Sequence, residues 1–120
     1  MKLARQYFLE KPHPEPHRTN FIARNMSYHG TTLGSLSMGG HVSRRAKFEP
    51  MLLNNISKFS RCFSYRDQGN KETDESYVAR LADELDKEFQ RLGPKSVCAF
   101  VAEPVVGAVS RDFRLHGGSD

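Results

Sequence analysis

Residues 27–32, Ser-Tyr-His-Gly-Thr-Thr, bring a phenol ring, an imidazole, a glycine and two hydroxyls together just after the apolar run Phe-Ile-Ala-Arg. A tyrosine held by its backbone at a strand end offers a flat face on which a planar ring can stack. Gly30 has no Cβ, so a ligand or another backbone can come close, and the chain can turn into a following helix. Thr31 or Thr32 can cap that helix, whose first amides attract an anion. Alone, Tyr28-His29-Gly30 reads more simply as an ordinary turn with a partly buried tyrosine. A second cluster, Glu103-Pro104, closes the apolar run Val-Cys-Ala-Phe-Val-Ala. A carboxylate in that low-dielectric place needs a partner: an arginine, a histidine or a cationic cofactor atom. Position alone fits a structural salt bridge equally well.

The elements that must position these groups follow from the pattern of apolar residues. Residues 1–11 read as a helix with Leu3, Tyr7 and Phe8 on one face. Pro12, Pro14 and Pro16 stop it and force an extended connection, with His13 and His17 facing solvent. Phe21–Arg24 reads as a short buried strand. Residues 31–40, rich in small side chains, read as a short helix packed closely on a neighbour through Leu33, Leu36 and Met38. Residues 41–71 read as mostly irregular with brief extended pieces, a length that is usually functional or buried against a partner.

Residues 73–93 give the clearest helix. Thr73 is its N-cap, and Asp74 and Glu75 put negative charge at the positive end of the helix dipole. Tyr77, Leu81, Leu85 and Phe89 form an apolar stripe that Val78 and Leu92 widen. Asp83 and Lys87 form a supporting pair, and Gly93-Pro94 end the helix. The following apolar run, 96–102, has the signature of a strand covered on both faces. Helix, strand, polar cluster, helix, long connection, helix, strand, polar cluster is an α/β order with a mostly parallel sheet and flanking helices. Ligands of such sheets sit beyond the carboxyl ends of the strands, where both unusual clusters fall.

The totals set bounds. A chain of 120 residues makes one domain, and 38% hydrophobic with 27% charged residues is ordinary for a globular protein. The formal charge of +4 is scattered, Arg44-Arg45 being the one adjacent basic pair, which favours a solvated surface over a nucleic-acid stripe. Cys62 and Cys98 suggest no disulfide framework, Cys98 reading as a small buried filler. With His29, His41 or His116 they make no zinc-like spacing, so no metal is expected. No apolar run approaches the roughly 20 residues that span a bilayer, and no signal-peptide core opens the chain, so the expected location is cytoplasmic.

Taken together, KLARQYF, FIARNMSYHGTTLGSLSMGGHVSRR, FEPMLL, CFSYR and VCAFVAEPVVGA resemble the class III aminotransferases, over about Lys2 to Ala108. The resemblance implies the large domain of the fold type I (aspartate-aminotransferase-like) enzymes, which use pyridoxal 5'-phosphate. It implies that Tyr28 stacks on the cofactor's pyridine ring, that His29 and Gly30 complete the family triplet, and that Glu103 lies close to the cofactor. Some members carry a second glutamate five residues after the first. Ala108 stands there, similar to the amine-type and ω-type branch, against ornithine-like or 4-aminobutyrate-like substrates.

The resemblance further implies exchange of an amino group between an amine or amino acid and a 2-oxo acid, in a homodimer. None of Lys2, Lys11, Lys47, Lys58, Lys71, Lys87 and Lys95 matches the family's Schiff-base lysine, and the pyridinium-pairing aspartate has no counterpart. No catalytic residue is therefore assigned. Residues 1–108 are expected to be an interior fragment of the large domain, inactive alone, and 109–120 a divergent disordered tail. The rival readings are a non-enzymatic truncated chain that associates with a full-length transaminase subunit, and a small basic nucleic-acid-binding module.

Overall fold

A computed structural model describes residues 1–62 and 67–104 of the chain. In chain order the elements are α1 (Lys2–Glu10), β1 (Asn20–Arg24), α2 (Leu33–Met38), α3 (Val42–Arg45), a 3-10 turn (Glu49–Met51), β2 (Ile56–Phe59), α4 (Asp74–Leu92), a second 3-10 turn (Pro94–Ser96) and β3 (Val97–Val101). The three strands form one sheet in the order β2-β1-β3, both pairs parallel. Ala23 stands opposite Lys58 on one side and Val101 on the other.

Both faces of the sheet are covered, so β1 in the middle is buried through Phe21, Ile22 and Ala23. One face carries Phe21, Ala23 and Cys98 against Met38 of α2 and Ala4 and Phe8 of α1. The other carries Ile22, Phe59 and Val97 against Leu85, Phe89 and Leu92 of α4. The Phe59 and Phe100 rings meet edge to face there, 5.3 Å between centroids. Helices on both faces of a parallel sheet agree with the α/β reading.

Two expectations, both on helices, need correction. β2, by contrast, is one of the brief extended pieces expected within 41–71. Its polar centre, Ser57-Lys58, hides the strand, yet Ser57 hydrogen-bonds Glu88 of α4 and Lys58 turns toward α2. On α1, Ala4 and Phe8 face the sheet, whereas Leu3 is 81% and Tyr7 63% exposed. Arg18 fixes that choice, its guanidinium 4.6 Å from the Phe8 ring centre. On α4, Val78 is 59% exposed and adds nothing to the stripe, because it sits about 100° round the helix from the buried Tyr77.

Other local signals hold in the fold. The Thr73 hydroxyl accepts the Ser76 N–H at 3.1 Å. The Lys87 ammonium lies 2.7 Å from Asp83. Gly93 leaves the helix at φ +88°, a conformation that favours glycine. Cys98 is buried, its thiol donating to the Arg18 carbonyl at 2.8 Å. His13 and His17 are exposed. Ala108, His116 and the 109–120 tail lie outside the described residues.

Candidate functional site

Parallel strands end on a common edge, and the turn after β1 is held there by short-range contacts. Met26 takes φ +56°, rare for a residue with a side chain, and the Ser27 hydroxyl donates to the Arg24 carbonyl at 2.7 Å. The turn rests on Gly39-Gly40 behind α2. The Gly40 N–H donates to the Ser27 carbonyl at 2.9 Å, and a Cβ on Gly40 would lie 2.5 Å from the Met26 nitrogen. Only a residue without a side chain fits that gap.

From this seat the Tyr28 N–H donates to Oε1 of Glu103 at 2.8 Å, across 75 positions of sequence. The two clusters thus share one corner of the sheet edge. The Tyr28 ring is half-buried, with the Arg44 guanidinium 4.8 Å from its centre. Glu103 is partly buried and meets its need for a partner through the Tyr28 amide, a charge-assisted bond. Nε2 of His29 is buried without a hydrogen-bond partner. Burial chiefly pushes the His29 pKa below its ordinary value; Glu103 pulls it up and Lys58 down.

Gly30 is required for a different reason than ligand access. It sits at φ +126°, and a Cβ there would come 2.9 Å from Cβ of Ser35, so α2 itself closes on it. Thr32 occupies the N-cap position of α2, but its hydroxyl donates to Oγ of Ser35 at 3.1 Å instead of accepting a helix amide. The threonine cap expected from sequence is not made. Among the described residues no three metal-ligating side chains converge.

Two cations near the site escaped the sequence reading. Arg44 reads from sequence as solvated surface, and Lys58 lies in the stretch 41–71, which reads as mostly irregular with brief extended pieces. The Lys58 pKa is lowered to about 8, chiefly by burial and then by nearby Arg45, while Glu49 raises it. A strand period would have found Lys58, since it shares the face of Ile56 and Ala23. A cavity of about 410 Å³ lies at the other edge, lined by α1 with Thr19, Phe21 and Asn55.

The profile of the family "Aminotransferase class-III" matches residues 1–110. The chain belongs to that family. It is 60% identical over 109 residues to an aminotransferase of Gibberella zeae, which covers 90% of this chain and 21% of that protein. It is 38% identical over 96 residues to a probable gamma-aminobutyrate transaminase 3, mitochondrial, of Oryza sativa, covering 78% of this chain and 18% of that protein. Its fold superposes on the ω-transaminase of Pseudomonas jessenii in complex with PMP with a TM-score of 0.79, at 29% identity, over 89% of this chain and 24% of that one. The chain thus spans about a fifth of the length of these relatives. Its sheet and helices are part of a fold type I domain.

Proposed function

We propose that these residues form part of the cofactor-binding large domain of a pyridoxal 5'-phosphate-dependent transaminase, moving an amino group between an amine or amino acid and a 2-oxo acid. The Tyr28 N–H bond to Glu103 carries the reading, because it joins the aromatic wall and the carboxylate at one corner. The groups fit a flat, heteroaromatic cofactor: a half-buried phenol ring, an acid fixed by a backbone amide, and a buried imidazole nitrogen that no protein group satisfies. The PMP bound to the Pseudomonas jessenii enzyme supports the same choice.

Pyridoxal phosphate, when bound, supplies the carbonyl that takes up the amino group and the ring that delocalises the resulting charge. The chain's own residues orient and shield. Tyr28 lends its ring face to hold the cofactor plane and exclude water from one side. Glu103 fixes Tyr28 through the amide and adds negative charge near the ring. His29, kept neutral by burial, backs the turn, and Gly30 lets that turn close on α2.

No lysine here stands in the family's Schiff-base context, so the 120 residues by themselves are proposed to be inactive. Leu33, Val42, Phe48, Met51 and Leu53 are exposed along 33–53 and favour a homodimer, in which that stretch meets a second subunit. Neither nucleic acid nor a membrane is among the proposed partners, the basic residues being scattered along the sequence. The cytoplasm is the proposed compartment, and cell fractionation tests it.

The test is a titration of the chain with pyridoxamine phosphate followed by tyrosine fluorescence. Binding is expected to quench emission in the wild type and to weaken about tenfold in Tyr28→Ala, a loss of one stacking contact worth roughly 1.4 kcal/mol. Equal affinity in Tyr28→Ala and wild type would remove the stacking role.

A further inference from the structure

Lys58 lies beside this corner on β2, and its ammonium donates to the last carbonyls of α2, Ser37 at 3.0 Å and Met38. Arg45 of α3 shares the Ser37 carbonyl at 2.8 Å and donates to two more, Leu36 at 3.1 Å and Gly39 at 2.5 Å. Carbonyls at a helix C-terminus have no partner within the helix, so these cations satisfy groups that would otherwise stay unpaired. The helix end they hold runs straight into Gly39-Gly40, the seat of the turn that carries Tyr28 and His29.

We propose that Lys58 is a positioning residue of this site: it ties the end of α2 to β2, and through Gly39-Gly40 it sets the Tyr28–Glu103 corner. The proposal rests on the cofactor reading for what the corner does, and not for how the corner is held. Lys58 also acts by charge. Arg45 from α3, Glu49 from the 3-10 turn and His29 from the turn after β1 are in electrostatic reach of it, and Glu103 acts on the same imidazole. Burial first, and then the Lys58 charge, oppose a proton on His29.

The experiment uses the full chain without cofactor, isotope-labelled, with nuclear magnetic resonance of the His29 ring carbons and the Tyr28 amide. In Lys58→Met the His29 titration should move to higher pH, and the Tyr28 amide should lose the downfield shift that its bond to Glu103 gives. Lys58→Arg keeps the charge and should restore both signals. A His29 midpoint unchanged in Lys58→Met, or a Tyr28 amide unmoved, overturns the proposal.

If Lys58→Met does not fold, the wild type decides. The His29 ring carbons should show a second inflection at the pH where the Lys58 side-chain carbons titrate, near 8. Its absence overturns the proposal equally. All these signals are read without pyridoxal phosphate, so failure of the cofactor reading would leave them intact and is distinguishable.

Discussion

Glu103 accepts a backbone N–H that comes from 75 residues earlier, and that one bond turns two separate polar clusters into a corner. Glu103→Gln keeps an acceptor and loses the charge, so it should cost about 1 kcal/mol, the difference between a charge-assisted and a neutral bond. Urea unfolding measures it. The same substitution removes the charge that pulls the His29 pKa upward, so His29 should titrate lower still, opposite in sign to Lys58→Met.

The pH dependence of stability follows from the same depressed histidine. In the unfolded chain His29 takes up its proton near 6.5, whereas in the fold it does so only at lower pH. Between those values the unfolded state binds more protons, so stability rises with pH and is lost as pH falls through 6.5. His29→Gln should lack that part of the slope, and thermal unfolding at pH 7 and pH 5 for both chains checks it. The position of Tyr28, His29, Gly30 and Glu103 at strand ends was legible, because each cluster follows an apolar run, while their types alone left an ordinary turn and a structural salt bridge open. The contact of Arg44 with Tyr28 was not, because it is set by α2 and α3 folding back, which no local spacing records, whereas for Lys58 the period of β2 marks the face but not the helix end it meets.

Among the elements, glycines separate what the sequence shows from what only the fold shows. Gly34 lies inside α2, where a Cβ would make only an ordinary contact, 3.6 Å from Sδ of Met1. Gly34→Ala should stabilise by about 0.5–1 kcal/mol through helix propensity. Gly40→Ala must displace backbone, and should cost about 1–3 kcal/mol while releasing the Tyr28 amide bond. Chemical denaturation of both variants reads the contrast. The Gly-Gly pair was legible as close packing but not as the support of the 25–30 turn. α4 was legible in full outline, from Thr73 to Gly93, because cap, stripe and stop agree. The sheet-facing side of α1 was not, since Arg18 on a later loop decides which ring is pinned.

At the scale of the whole molecule, the alternation of helices and strands was enough for an α/β fold with a parallel sheet. The order β2-β1-β3 was not readable, because it depends on where each crossover lays its helix, and β2 carries too few apolar residues to announce itself. The apolar side chains exposed along 33–53 belong to this scale too. Phe48→Glu combined with Met51→Lys should abolish concentration-dependent association in sedimentation equilibrium. Self-association equal to the wild type would contradict the proposed dimer face.

In the proposed function the strand ends bearing Tyr28 and Glu103 build one site for a flat pyridoxal-type ring. Mapping amide shift changes on the labelled chain during addition of pyridoxamine phosphate tests it most directly. The largest changes are expected at Tyr28, His29, Gly30 and Glu103. Changes centred instead on Lys2, Arg5 and Asn55, around the cavity at the opposite edge, would contradict it.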